Sequence, residues 1–153
     1  AKDPNGKPNP LRSSPIHARG RDEPGQTKTT RTPGQDGAPP LPTLRQVNDV
    51  LALTDFLDFQ SQLEDIHNGV HVWVGGTMGS VGTSGYDPLF WAHHTMIDRI
   101  WRLWQLRHPG SRPPASLLDR ALAPFAMTVR DTLDMDVLGY DYAVTTAAAG
   151  GTG

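Results

Sequence analysis

His67-Asn68-Gly69-Val70-His71-Val72-Trp73-Val74-Gly75-Gly76 is followed, ten residues on, by Asp87-Pro88-Leu89-Phe90-Trp91-Ala92-His93-His94-Thr95-Met96-Ile97-Asp98-Arg99-Ile100-Trp101. Around His67, Phe56, Phe59, Leu63, Ile66 and Val70 recur every three or four residues, an apolar stripe that predicts a helix starting at Thr54 or Asp55. Gly75-Gly76 ends it, and the Gly-, Ser- and Thr-rich residues 75–86 read as a loop. The next helix starts on Asp87, a good N-cap, with Pro88 in the first turn, where its missing N–H does no harm. It runs through Phe90, Ile97, Ile100, Trp101 and Trp104 to about His108, where Pro109-Gly110 stops it. The fold class is therefore mainly α, built around a helix pair.

Four of the six histidines sit on this pair. His67 and His71 are four apart, so both imidazoles leave one helix face on adjacent turns. His93 and His94 occupy the second turn of the following helix. A hairpin that brings the first pair together with one imidazole from the second makes a three-nitrogen site with an open position. A lone histidine is more often a satisfied core or surface residue. Two clusters on two helices, each beside a carboxylate, favour metal instead. Glu64, His67, Asn68 and His71 share one face, so a carboxylate and an amide flank two ligands and can hold a water or take a proton. Asp98, four residues after His94, is placed to accept an imidazole N–H. The pattern is not His-Glu-x-x-His, which argues against a zinc protease. Spacing alone leaves copper and zinc both open.

Away from this pair the chain is less regular. Residues 1–42 carry nine of the fourteen prolines and no hydrophobic period, and read as an extended, irregular connector. Thr43-Leu44-Arg45-Gln46 has the form of a capping box, predicting a short helix that ends near Leu53. Short helices are expected around 115–122 and 128–135, and the Ala/Gly/Thr stretch 145–153 as a flexible tail. Residues 43–144 then form the compact unit. A net charge of −2 gives no electrostatic case for nucleic acid or an anionic membrane surface, and no apolar run is long enough to span a bilayer. A soluble chain is expected, its compartment not legible. Without cysteine there is neither a disulfide framework nor a thiolate metal site.

The two quoted stretches closely resemble the CuB signature of the tyrosinase and catechol oxidase family of type-3 copper proteins, in its bacterial form. Gly139-Tyr140-Asp141-Tyr142 resembles the tyrosine motif that closes the family's catalytic domain. The resemblance implies a helix-pair half of a four-helix bundle. It implies His67, His71 and His94 as copper ligands, with His93 a neighbouring non-ligand and Phe90 an aromatic close to the metal. Asn68 matches a residue that in some tyrosinases holds a water together with a carboxylate; Glu64 is the candidate carboxylate on helical geometry and Asp58 the lesser one. The implied reaction is oxidation of phenols and o-diphenols to o-quinones by dioxygen held between two coppers.

The family needs a second histidine trio, CuA, before CuB, and upstream of His67 there is only His17. One CuB ion is thus expected from this chain and a second copper from a CuA-bearing polypeptide or a cleaved N-terminal fragment. Asp3-Pro4-Asn5-Gly6-Lys7-Pro8-Asn9-Pro10-Leu11 resembles the connector that follows the CuA helices, and the absence of an initiator Met at residue 1 fits processing or a longer parent chain. Two other readings stand beside the enzyme: a hemocyanin-like oxygen carrier, in which substrate access is blocked, and a mononuclear copper- or zinc-binding module. His108 reads as a surface residue complementing the helix dipole. Trp73, Trp91, Trp101 and Trp104 read as core, with Trp73 or Trp91 as possible pocket walls.

Overall fold

The computed structural model describes residue 6, residues 13–16 and residues 27–143; His17 and the 145–153 tail lie outside them. Three helices carry the architecture: α1 (Leu44–Leu51), α2 (Phe56–Val74) and α3 (Pro88–Arg107). Two one-turn helices follow, α4 (Ala115–Leu118) and α5 (Met135–Leu138). Among the described residues the only β pairings are the isolated bridges Pro15–Lys28 and Ala121–Thr128, so the mainly helical expectation holds.

Each long helix starts where its sequence says it should. The Thr43 hydroxyl accepts from the Gln46 N–H while the Gln46 side chain reaches back to the Thr43 N–H, closing the capping box of α1. Asp55 caps α2 by accepting from the N–H groups of Leu57 and Asp58. Asp87 caps α3 through the Leu89 N–H, with Pro88 in the first turn. α1 ends two residues short of the expected Leu53. The expected 128–135 helix is split into a 3₁₀ turn (Arg130–Leu133) and α5, with Asp134 capping the latter.

α2 and α3 pack antiparallel, since Phe59 meets Trp104 near one end of the pair and His67 meets His94 nearer the other. Val50 and Leu51 of α1, Phe59 and Leu63 of α2, and Ile100 and Trp104 of α3 form the buried core. Each such side chain contributes about 1.5–3 kcal/mol by leaving water. Trp104 is fully buried, stacks on Phe59 at 4.5 Å, and donates its indole N–H to the Leu53 carbonyl at 2.6 Å. The indole's polar handle is thus satisfied just past the end of α1. His108 is a correction: it is half-buried and donates Nε2–H to the Leu51 carbonyl at 2.9 Å, tying the end of α3 to α1.

Residues 75–86 are more ordered than a plain loop. They contain 3₁₀ turns at Gly76–Gly79 and Ser84–Tyr86 and bury Thr77, Met78, Thr83 and Ser84. The connector runs alongside: Thr32 N–H donates to the Val74 carbonyl, Gly34 N–H to Trp73, and Thr77 N–H to Thr30, each at 2.9 Å. Gly75 and Gly76 both have positive φ, and a Cβ on either would overlap Thr32 or Thr30. Glycine is required there for the close passage of the connector as well as for ending the helix. No helix among the described residues is long and apolar enough to cross a membrane.

Candidate metal centre

The helix hairpin delivers the histidines to one point. Nε2 of His67 lies 3.1 Å from Nε2 of His71 and 3.2 Å from Nε2 of His94. Nδ1 of His67 faces the Asn68 side-chain oxygen at 3.0 Å, and Nδ1 of His71 faces the Met78 carbonyl at 2.8 Å. An oxygen acceptor requires N–H on the facing Nδ1, which leaves the lone pair of each ring on Nε2. Two lone pairs facing each other at this distance repel unless a cation lies between them. An ion bound about 2.0–2.1 Å from each imidazole holds such nitrogens a little over 3 Å apart, so the donor set fits a small divalent metal. Three neutral imidazoles suit copper or zinc.

His93 is close to the same centre and is held differently. Its ring stacks on that of His67 at 5.0 Å, and its Nε2 donates to the His67 carbonyl at 3.1 Å. One ring nitrogen each of His67, His71 and His93 also fall within 4.8 Å of one another. That grouping overlaps the Nε2 trio, but the hydrogen bond to a carbonyl removes His93 Nε2 from the convergence. Phe90 stacks on His94 at 3.9 Å with a 27° interplanar angle, which fixes the plane of that imidazole.

Burial, followed by the nearby charge of His71, holds the His67 imidazole below its ordinary value. Burial pushes His93 down to about 4, and burial followed by His67 and His71 lowers His94. All three are then neutral at neutral pH, the form that binds a metal.

Two clefts open at the trio, and His67 and His94 line both. One, of about 600 Å³, is walled by Asn68, Val72, Met78, Val81, Tyr86 and Phe90 among others. The other, of about 630 Å³, is walled by Phe59, Leu63, Glu64, Ile97, Asp98 and Trp101 among others. Glu64 borders the second cleft and Asn68 the first, with His67 shared by both. Asp58 lies elsewhere, in a groove with Pro39, Pro40 and Asp65 that no histidine lines. Trp73 and Trp91 line neither cleft: the Trp73 indole sits over Gly34, and Trp91 is 64% exposed.

Asp98 is a second correction. It takes no imidazole N–H; its Oδ2 accepts the Tyr140 hydroxyl at 2.7 Å and the Tyr142 hydroxyl at 2.5 Å. The phenols reach it because the chain after α5 returns along α3, where Arg102 forms a bidentate pair with Asp141. Sequence reasoning also missed the Met78 carbonyl that orients His71, since a backbone acceptor carries no residue-type signal.

Known proteins resemble this arrangement. The family model for the common central domain of tyrosinase matches residues 4–107. A tyrosinase of Streptomyces antibioticus is 42% identical over 101 residues, covering 57% of this chain and 36% of that protein. A G-type hemocyanin of Enteroctopus dofleini is 43% identical over 82 residues, covering 47% of this chain and 3% of that one. Among solved structures, a copper-bound active tyrosinase of Aspergillus oryzae superposes with a TM-score of 0.60 at 30% identity, over 74% of this chain and 36% of that one. The chain spans about a third of the length of the tyrosinases it matches.

Proposed function

Because the chain belongs to the family defined by the common central domain of tyrosinase, we propose that His67, His71 and His94 hold one copper of a dicopper phenol oxidase. The observation that carries this is the convergence of their Nε2 atoms, with Nδ1 of His67 and of His71 turned to an oxygen. The second copper comes from a CuA-bearing polypeptide or N-terminal fragment. The remaining histidines cannot build a second trio, because His93 and His108 are engaged with carbonyls and only His17 is left.

Copper bound there supplies redox chemistry with dioxygen that no side chain offers. The chain's own residues do the rest. The Met78 carbonyl and Asn68 keep the His71 and His67 lone pairs aimed inward. Val72, Met78, Val81 and Phe90 make an apolar cleft for an aromatic ring beside His94, with Tyr86 on its wall. Glu64 is the carboxylate nearest in sequence to His67 on the ligand face, and its charge acts on that imidazole. Asn68 keeps its amide N–H groups for a water. Asn68, on the wall of the cleft that takes the ring, holds the water that meets the substrate hydroxyl, and Glu64, on the neighbouring cleft that shares His67, is the carboxylate that receives the proton.

Hemocyanins match this segment as well as tyrosinases do, so identity does not separate an oxidase from an oxygen carrier. The open cleft beside His94 favours the oxidase. Copper analysis and catechol turnover of the chain combined with a CuA-bearing partner test the proposal. The expected result is two coppers per complex and o-quinone formation that disappears in His94→Ala. Full turnover in that variant overturns the ligand assignment, and oxygen binding without turnover supports the carrier.

A further inference from the structure

Four connector residues, Thr30, Arg31, Thr32 and Gly34, tie this segment to the two helices that carry the histidines and to the turn between them. Thr32 and Gly34 bond to the last turn of α2 through Val74 and Trp73. Thr30 exchanges two bonds with Thr77, its N–H to the Thr77 hydroxyl and its carbonyl to the Thr77 N–H, both at 2.9 Å. The next residue, Met78, presents the carbonyl that orients His71. Arg31 reaches the start of α3, its Nε and Nη2 meeting the two Asp87 carboxylate oxygens at 2.7 and 2.6 Å.

That last pair is sealed from solvent, with side-chain exposures of 3% for Arg31 and 0% for Asp87. Nη1 of Arg31 is buried with no other acceptor, so Asp87 alone balances the cation. Asp87 also caps α3 through the Leu89 N–H at 2.8 Å. Whatever sets the position of Asp87 therefore sets the first turn of α3, and with it Phe90 and the His94 ring stacked on it. A bidentate guanidinium fixes a carboxylate in both distance and plane, which an ammonium cannot do.

We infer that Arg31 is a positioning residue for the metal centre, acting through Asp87 and Phe90 on His94, and that residues 30–34 belong to the centre's scaffold. This rests on the copper-site reading above. Gly75 and Gly76 fit the inference, because they leave the room through which this segment passes.

The test uses the full chain and the conservative variant Arg31→Lys, which keeps the charge and loses the fork. In the metal-free protein the His94 ring protons sit against the Phe90 face, and NMR reads that stacking as a ring-current shift. In Arg31→Lys the shift is expected to move toward its unstacked value while the buried Trp104 indole resonance stays in place. Cu²⁺ affinity, measured by competition, is expected to fall about tenfold or more. A folded variant with the wild-type His94 shift and wild-type Cu²⁺ affinity overturns the inference. Should Arg31→Lys fail to fold, the neutral pair Arg31→Gln/Asp87→Asn, which keeps a competent N-cap, decides by the same two readings. A wild-type chain that binds no Cu²⁺ removes the copper reading only; the metal-free His94 shift then decides the inference by itself.

Discussion

His67 and His71 stand one helical turn apart with their Nε2 atoms 3.1 Å from each other, while Nδ1 of each ring faces an oxygen acceptor. Helix geometry supplies the spacing, and the two acceptors supply the tautomers. An apo-protein folded this way holds facing lone pairs that a cation relieves.

Removing one ligand should therefore weaken metal binding far more than it weakens the fold. His71→Ala is expected to lower Cu²⁺ affinity by about tenfold or more with helix content unchanged. Competition titration beside circular dichroism checks this, and equal affinity in the variant would exclude His71 as a ligand.

The metal-free protein should lose stability in mild acid. His67, His93 and His94 are all held below the ordinary 6.5, His93 at about 4. Between those values the unfolded chain binds more protons than the folded one, so stability rises with pH across that window. It is fully present above 6.5 and is lost as pH falls toward about 4. Urea melts at several pH values in the presence of a chelator should show a midpoint that drops through this range; a flat profile contradicts the lowered values.

Trp104 is the heaviest single element of the core. Replacing it with Ala empties a fully buried site and breaks the 2.6 Å bond to the Leu53 carbonyl. A loss of about 3–5 kcal/mol is expected, read from urea denaturation. A cost under about 1 kcal/mol would mean that α1 and α3 are not held through this residue.

Asp98 should govern tyrosine ionisation. Accepting the Tyr140 hydroxyl, it raises that phenol to about 12, and it raises Tyr142 as well, there after burial. In Asp98→Asn, ultraviolet titration should show both phenols ionising at lower pH than in the wild type. Unchanged titration would place the two hydroxyls elsewhere.

The local framework was legible in the residues. Capping boxes, Asp-Pro starts and periods of three and four are interactions within one turn of helix, and the structure reproduces α1, α2 and α3 from them. The His67/His71 pair is of the same kind, because i and i+4 share a face wherever a helix forms. Other features depended on packing between distant segments. Asp98 is four residues from His94 and yet bonds to Tyr140 and Tyr142, more than forty residues on. His108 looked like a surface cap and bonds to Leu51, fifty-seven residues back. The 1–42 connector looked passive, and its described residues carry the buried Arg31–Asp87 pair and the bonds that flank His71. A sequence determines what each residue can donate or accept and which face of its helix it leaves from. Which acceptor lies within 3 Å of it is decided only when remote segments close on one another, because hydrogen-bond and ion-pair energies fall away within a few ångströms.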